Sequence, residues 1–301
     1  MSNFSDLCAR VLASRLTLVD VGAAGAPLDV GAVSALCDVH AIEPREDAPV
    51  TDEHRFAKLY RHNIGLAGVG GRHRLHITSE PTASSLRRPN IAVAKRYENN
   101  STFDVVAESE IECMTLADFA VKNEIAHIDF IKLDTQGTEL EILRGAQGFL
   151  DRVSIIRTEV EFVDLYEGQG LFDDIVSELS SRGFRFVDFG EGQRRGPQPG
   201  KRIWADATFV RREYPDHQAG LRSAVLLLAM GFIGEGLWLL QDLGLEKQLI
   251  EELSIAAQED RATWLQRLRA INQPRRSAGK LALNGQRVKD LMRKGSFGLI
   301  E

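Results

Sequence analysis

Short apolar runs and amphipathic stretches alternate along the first two-thirds of the chain. Apolar runs between turn residues indicate buried strands, whereas apolar residues repeating at intervals of three and four indicate helices. We predict strands near 16–22, 39–43, 63–67, 128–134, 154–162, 184–189 and 205–211. We predict helices near 28–37, 52–61, 115–123, 138–150 and 171–182. This alternation predicts an α/β fold with a doubly wound, mostly parallel, seven-stranded sheet.

Three segments depart from the alternation. Residues 73–78 and 105–113 have the pattern of two further strands around an inserted loop. The last two strands of the sheet are separated by a Gly- and Pro-rich segment, which predicts an antiparallel hairpin. Residues 1–15 contain apolar residues at helical spacing, so we predict a short amphipathic helix there.

The pattern becomes helical after residue 212. We predict helices over 221–243 and 246–271, which form an extension at 213–273 beyond an α/β domain at 16–212. Three roles are open for this extension: packing on the sheet, a homodimer contact, or covering a substrate. The tail at 274–301 contains seven Lys and Arg residues but only two acids, which predicts a solvated segment, with binding to an acidic partner as the alternative.

Composition describes an ordinary soluble globular chain. Of the 301 residues, 44% are hydrophobic and 27% charged, and the net charge of −6 argues against a general nucleic-acid-binding protein. The three cysteines have no C-x-x-C spacing, so we expect reduced thiols and a cytoplasmic location. Glycines and Glu235 interrupt the longest apolar stretch, at 224–240, which predicts a buried helical hairpin and no membrane span. The first 15 residues also lack the apolar core of a signal peptide.

The most informative segment runs from Ile128 to Gly145. An apolar strand leads into Asp134, then into a tight turn with Gly137, and then into a helix. Because ligands of open α/β sheets bind beyond the carboxyl ends of the strands, Asp134 is expected at the edge of a binding site. Thr138 and Glu141 have the T-x-x-E spacing of a capping box for the helix. An ordinary strand-turn-helix unit is the alternative interpretation.

A second glycine turn follows the first strand. Gly22 and Gly25 allow a tight turn and a close ligand, and Pro27 fits a first helical position. Glu43 ends the next strand, 21 positions after Gly22. An α/β unit that binds a nucleoside places an acid there to accept hydrogen bonds from ribose hydroxyls.

The residues in this turn limit the kinds of ligand that it can bind. A dinucleotide fingerprint needs G-x-G-x-x-G, and its second and third glycines are replaced by Ala24 and Pro27. An oxidoreductase is therefore disfavoured. Asp20 is a poor neighbour for phosphate, but it suits a positively charged ligand such as the amine and sulfonium of S-adenosylmethionine. A structural glycine turn with unrelated surface acids remains the alternative.

These motifs, taken in order, resemble the FkbM-type S-adenosylmethionine-dependent methyltransferases. The resemblance covers roughly residues 15 to 212 and rests on these segments: Val19 to Gly25, Ile42 to Pro44, Ser84 to Leu86, Thr115 to Asp118, Lys132 to Ala146, Ile155 to Glu159 and Gly183-Phe184. It implies a Rossmann-like class I methyltransferase fold. It also implies a cofactor site at these residues: Asp20, Gly22, Ala23, Gly25, Glu43, Pro44, Ser84, Ser85, Asp134 and Gln136. One departure is Gln136, where the family block often has Glu.

Three acids are candidates for catalysis. A hydroxyl that accepts a methyl group needs a base, and we predict Asp134 in this role. Glu159 ends the adjacent strand, and Glu161 points to the same face two residues later. Oxygen ligation of Mg²⁺ by these acids is the alternative, which Gln136 makes less favourable. His73 and His76 are expected to be surface residues.

Two features suggest how an acceptor is recognised. Tyr166 follows the fifth strand and is expected at the rim of the site. The segment 191–202 contains four cations that suit an anionic acceptor: Arg194, Arg195, Lys201 and Arg202. A solvated turn is the alternative interpretation. Together with the family resemblance, these residues predict S-adenosylmethionine-dependent O-methylation of a sugar, glycan or related natural product. The alternative is a non-catalytic nucleotide- or sugar-binding module of the same fold.

Overall fold

The computed structural model describes residues 3–24, 28, 30–45, 53–97, 101–195 and 200–271. The strands are β1 Leu16–Val21, β2 Cys37–Ile42, β3 Lys58–His62, β4 Gly65–Leu66, β5 Gly71–Thr78, β6 Val105–Met114, β7 Ile128–Leu133, β8 Val153–Glu161, β9 Phe184–Arg195 and β10 Lys201–Arg211. The α-helices are α1 Phe4–Val11, α2 Ile91–Tyr97, α3 Leu116–Lys122, α4 Glu139–Gly145, α5 Phe172–Ser181, α6 His217–Ala229, α7 Ile233–Asp242 and α8 Lys247–Ile271. Short 3-10 segments occur at Gly31–Leu36, Glu53–Arg55, Pro81–Ala83 and Gln147–Arg152.

Seven strands form the main sheet, in the order β3-β2-β1-β7-β8-β10-β9. Strand β10 is antiparallel to both of its neighbours, and the other pairs are parallel. The predicted seven-stranded, mostly parallel sheet with a final hairpin is therefore confirmed. The strand order reverses between β1 and β7, so the crevice for a ligand is expected at the carboxyl ends of these two strands.

Helices cover both faces of the sheet because its strands are apolar on both sides. On one face, α3, α4 and α5 pack against residues such as Val19 of β1 and Ile131 of β7. On the other face, α1 and α6 to α8 share a core with Leu18 of β1 and Phe130 of β7. Neighbouring residues of one strand thus enter different cores.

The C-terminal helices pack on the sheet, which was one of the three roles left open by the sequence. Almost every residue of α6 from Ala219 to Ala229 is buried. Arg222 of α6 also forms a 2.8 Å ion pair with the buried Asp129 of β7. The predicted helix at 221–243 is two helices, because Gly231 has a left-handed φ of 89° between them. No helix in the described part of the chain has the length and hydropathy needed to cross a membrane.

A second, smaller sheet lies beside the carboxyl end of the main sheet. It has the order β4-β6-β5, and its long pair, β5 and β6, is antiparallel as expected from the sequence. The connection between β5 and β6 contains α2, whose apolar residues join a third core with Phe103 and Leu165. This unit forms one side of the cavity described below.

Several sequence predictions were wrong in detail. Residues 58–62 form an edge strand and not part of a helix at 52–61, because they pair in register with β2. The predicted helix at 28–37 is a 3-10 segment, and Cys37 already begins β2. The predicted strand at 63–67 is reduced to two residues that pair with β6 in the smaller sheet.

The role of α6 in the core predicts a large effect of a single truncation. Leu226 is fully buried, so Leu226→Ala should lower the free energy of unfolding by about 2–5 kcal/mol, measured by urea titration. Ile255 of α8 is 58% exposed, and Ile255→Ala should change stability by no more than about 0.5 kcal/mol. Equal losses in the two variants would show that α6 is not part of the core.

Candidate functional site

A cavity of about 470 Å³ opens at the carboxyl ends of the central strands. Its lining includes Gly22 of the glycine turn, with Glu43 and Pro44 at the end of β2. The apolar residues Phe103, Ile203 and Trp204 line it as well. Asp134, Gln136 and Glu159 also line this cavity, so polar groups from several strand ends meet in one space.

The main chains of β1 and β7 are in direct contact at the base of the cavity. The Asp134 backbone N–H donates a 3.1 Å hydrogen bond to the Val21 carbonyl. Gly22 has a left-handed φ of 81°, and a Cβ atom there would lie 1.9 Å from the Asp134 carbonyl oxygen. Glycine is therefore required at this position. Gly25, the second glycine of the predicted turn, lies outside the described residues.

The end of β2 places a carboxylate on the cavity wall. The Oε1 atom of Glu43 accepts hydrogen bonds from the backbone N–H and the guanidinium of Arg45, at 3.1 and 3.0 Å. The Glu43 backbone N–H donates to the carbonyl of His62 on β3, which fixes the strand end. Pro44 follows on the same wall. Glu43 is thus an acid on the cavity wall, and its contact with a ribose stays a prediction.

Asp20 lies behind the turn and is not among the described residues that line the cavity. Its Oδ1 atom is buried, and Lys132 Nζ lies 4.0 Å away. Burial raises the pKa of Asp20 to about 6, even though the charge of Lys132 acts in the opposite direction. Direct contact between Asp20 and a ligand in the cavity is therefore not supported. Ala23 likewise lies off the wall and donates its N–H to Ile42.

Gln136 bridges the two acids at the centre of the site. Its Nε2 atom lies 2.9 Å from Asp134 Oδ1 and 2.9 Å from Glu159 Oε1. Its Oε1 atom lies 2.8 Å from the Tyr166 hydroxyl. Asp134 also accepts a 2.9 Å hydrogen bond from Lys132. The amide therefore fixes the separation of the two carboxyl groups.

Tyr166 is fully buried and does not reach the rim, which corrects its predicted place in direct contact with an acceptor. Its hydroxyl lies between Gln136 Oε1 and the Ala83 carbonyl, at 2.8 and 2.9 Å. Burial and the surrounding acids raise its pKa well above the ordinary value. A neutral tyrosine hydroxyl that orients Gln136 is the role that these contacts support.

The loop after β5 covers the site with two serines. Ser85 Oγ donates a 2.7 Å hydrogen bond to the Gln136 carbonyl and accepts one from the backbone of Arg87. Ser84 Oγ accepts from the backbone of Thr78 at 3.2 Å. Both serines line the cavity. Ser85 therefore attaches this loop to the Gln136 turn by one direct hydrogen bond.

Glu139 is a site residue that the sequence reasoning missed. It is 1% exposed, and its Oε1 atom accepts from the Thr135 N–H and hydroxyl at 2.6 and 3.0 Å. Its Oε2 atom accepts from the Gly137 N–H at 2.9 Å. The predicted capping box is wrong, because the Thr138 side chain bonds to Thr135 and Glu141 pairs with Arg87. Glu139 could have been identified from the sequence, because it lies within the Lys132 to Ala146 segment that carries the family resemblance.

Glu161 is buried beside Glu159 and is not among the described cavity-lining residues. Neither of its oxygens meets a donor in the described part of the chain. The neighbouring carboxyl of Glu159 becomes a partner only when one of the two is protonated. Burial, followed by repulsion from nearby acids that include Asp134, raises the pKa of both Glu159 and Glu161 well above the ordinary value. The burial of Glu161 and its place off the described cavity wall thus give no support to direct contact with a molecule in the cavity, and its catalytic role stays a prediction.

The predicted loop at 191–202 is mostly hairpin. Strand β9 extends to Arg195 and β10 begins at Lys201, with Arg194 paired to Arg202. Lys201 is exposed, and the Arg202 guanidinium lies 5.2 Å from the centre of the Phe189 ring. Neither lines the cavity, and the side chains of Arg194 and Arg195 lie outside the described residues.

The histidines do not form a ligand set. His76 is buried, with Nδ1 3.0 Å from Glu108, so its predicted surface position is wrong. Strand β6 supplies this partner across the smaller sheet. Within the described ranges, no three His, Cys, Asp or Glu side chains are placed to hold a metal ion.

The buried acids predict how stability depends on pH. Because folding raises the pKa of Glu159 and Glu161, these two carboxyl groups bind more protons in the folded chain than in the unfolded chain above about pH 4.5. Their contribution to the free energy of unfolding should therefore decrease as pH rises, by up to about 1.4 kcal/mol per pH unit for each proton involved. Glu161→Gln should make this decrease shallower in urea titrations between about pH 5 and pH 8.

Glu112 provides the matched control for that variant. Its side chain is 60% exposed on β6, so Glu112→Gln should leave the pH dependence as in the wild type. An unchanged slope in Glu161→Gln would show that Glu161 does not retain a proton in the folded chain.

Comparison with known proteins assigns the chain to a family. No curated protein matches it. Among solved structures it is similar to magnesium protoporphyrin IX methyltransferase from Synechocystis PCC 6803 with bound SAM, at 13% identity over 69% of this chain and 76% of the other, with a TM-score of 0.32. It is also similar to 1,6-didemethyltoxoflavin-N1-methyltransferase from Burkholderia thailandensis, at 13% identity over 70% and 77%, with a TM-score of 0.29.

The family model of the methyltransferase FkbM domain matches residues 20–186, which is more than half of the chain. The match includes the turn after β1, the end of β2 and the block from Lys132 to Ala146. The doubly wound sheet is the Rossmann-like fold expected of a class I methyltransferase. The chain therefore belongs to the FkbM methyltransferase family.

Proposed function

We propose that the protein is an S-adenosylmethionine-dependent O-methyltransferase that acts on a hydroxyl of a sugar, glycan or related natural product. The observation that supports this best is one cavity that brings Gly22 and Glu43 together with Asp134 and Glu159. The first two residues suit a nucleoside, and the latter two suit proton removal from a hydroxyl. The chain belongs to the FkbM methyltransferase family, and methyl transfer from a bound nucleoside cofactor to a hydroxyl would use both pairs of residues.

The residues on the β1 and β2 side fit the cofactor. We assign the ribose hydroxyls to Glu43, whose carboxylate is held by Arg45 on the cavity wall. We assign the rest of the nucleoside and the methionine part to the space beside Gly22, Pro44, Ser84 and Ser85. S-adenosylmethionine supplies an electrophilic methyl group when bound. We propose that Asp20 acts only at a distance, through its charge behind the turn.

Asp134 is the proposed base. Its side chain is 30% exposed, whereas Glu159 is buried, so Asp134 is the more accessible of the two bridged acids. Lys132 and Gln136 each donate a hydrogen bond to it and thereby orient its oxygens. A positioned base of this kind contributes about 10²–10⁴-fold to a reaction that removes a proton. Glu159 and Gln136 then hold the Asp134 carboxylate in place.

We assign the acceptor to the apolar part of the cavity lining, which includes Phe103, Leu165, Ile203 and Trp204. Apolar walls with a few polar groups are typical of small-molecule sites. We place any phosphate or carboxylate of the acceptor outside the cavity, near the exposed Lys201 on the β9–β10 hairpin.

Other parts of the function also remain proposals. We propose that residues 16–212 form the catalytic domain, that 1–15 and 213–273 complete it, and that 274–301 is a separate basic tail. We propose a cytoplasmic location from the three free cysteines, and no nucleic-acid partner from the net charge of −6. A homodimer through the C-terminal helices is a further prediction.

Calorimetry with purified protein tests the cofactor assignment. S-adenosylmethionine and S-adenosylhomocysteine should each bind at one site per chain, and NAD should not. Glu43→Ala should weaken binding about 10–100-fold, because a hydrogen bond to a charged group contributes about 1.5–3 kcal/mol. Glu80→Ala is the matched control, since Glu80 also lines the cavity but is exposed.

Two outcomes would contradict the assignment: preferential binding of NAD, or unchanged affinity for S-adenosylmethionine in Glu43→Ala. Transfer of a labelled methyl group into a cell extract then separates an enzyme from a binding module. Label recovered as an O-methyl ether supports the proposed reaction. Tight cofactor binding without incorporation would favour the non-catalytic alternative.

A further inference from the structure

The turn between β7 and α4 has a backbone conformation that requires support. Gln136 has a φ of 60° and Gly137 a φ of 99°, so two successive residues are left-handed. A Cβ atom at position 137 would lie 3.0 Å from the Tyr166 ring. A left-handed glutamine is uncommon and persists only where surrounding contacts determine it.

The Glu139 carboxylate supplies these contacts. Its two oxygens accept three hydrogen bonds, from donors on Thr135 and Gly137, which lie on either side of Gln136. On the opposite side of the turn, Ser85 donates to the Gln136 carbonyl. The backbone of Gln136 is thus held from two directions, and Glu139 makes most of these bonds.

The direction of the Gln136 side chain depends on this turn. The amide extends from a left-handed residue and reaches Asp134, Glu159 and Tyr166 together. A change of φ at Gln136 would move all of these contacts at once, because the side chain leaves the backbone at that residue. Glu139 thus contacts the turn that carries Gln136, although it is only 1% exposed and is not among the described cavity-lining residues.

Glutamine at position 139 could not replace the carboxylate. Both Glu139 oxygens accept from N–H groups, those of Thr135 and Gly137. A glutamine has one acceptor oxygen, and its amide nitrogen would face a second N–H. Glu139→Gln therefore keeps the size of the side chain but breaks one side of the support.

We propose that Glu139 is a positioning residue, which holds the Thr135–Gly137 turn so that the Gln136 amide keeps Asp134 and Glu159 in their reacting arrangement. This inference rests on the proposed function for its effect on turnover. The claim that Glu139 holds the Gln136 amide does not depend on the proposed function, because it concerns only contacts among residues of this chain. The two parts can be measured separately.

The test uses the side-chain amide resonances of Gln136 in ¹⁵N-glutamine-labelled protein, identified by their loss in Gln136→Ala. In the wild type these protons should exchange slowly with solvent, because both are hydrogen-bonded. In Glu139→Gln they should shift and exchange faster. Methyl transfer is then measured with labelled S-adenosylmethionine and the acceptor fraction from extract. In Glu139→Gln its kcat should fall about 10²-fold, while KM for the cofactor should change little.

Glu141→Gln is the matched control, because it removes a carboxylate from the same helix that pairs with Arg87 instead. The Gln136 resonances should be unchanged in this variant. If Glu139→Gln fails to fold, Thr135→Val removes one of the three hydrogen bonds and should give a smaller shift in the same direction.

Unchanged Gln136 resonances in a folded Glu139→Gln, or in Thr135→Val where Glu139→Gln does not fold, would overturn the inference. A wild-type protein that binds no S-adenosylmethionine would instead overturn the proposed function, and the amide measurement would still decide the role of Glu139. A fall in kcat with unmoved resonances would assign the loss to another cause and also overturn the inference.

Discussion

The close approach of the β1 and β7 main chains at Gly22 and Asp134 is the constraint on which the site depends. It occurs where the strand order of the sheet reverses, and the space above such a reversal is open to a ligand. A side chain at position 22 would occupy the place of the Asp134 carbonyl. The absence of that side chain lets the glycine turn and the acid of β7 share one cavity.

Placing several acids together has an energetic cost that the fold must offset. Each partly or fully buried carboxylate loses hydration, and this loss is tolerable only with hydrogen bonds, an opposite charge or a bound proton. The structure uses all three. Asp134 meets Lys132 and Gln136, Glu139 meets backbone donors of the turn, and Glu161 has a raised pKa beside Glu159. Gln136 contributes a neutral donor where a further acid would add repulsion.

The positions of residues at strand ends could be predicted from the sequence. Asp134 and Glu43 each follow an apolar run, and a parallel sheet brings the carboxyl ends of such strands to the same edge. Other features depend on tertiary contacts that no local pattern contains. Strand β3 is half exposed at the sheet edge, so its apolar pattern did not distinguish it from a helix. Tyr166 is buried by α2 and the loop before it, and Glu139 acts through backbone donors within its own turn.

The central claim is that the Asp134 carboxylate acts as a base beside a bound cofactor. The most direct measurement is methyl transfer by Asp134→Asn, with S-adenosylmethionine affinity measured on the same preparation. We predict that kcat falls about 10²–10⁴-fold while cofactor affinity stays within a few-fold of the wild type, because asparagine keeps the shape but cannot take a proton. Turnover at the wild-type rate in Asp134→Asn would contradict the account.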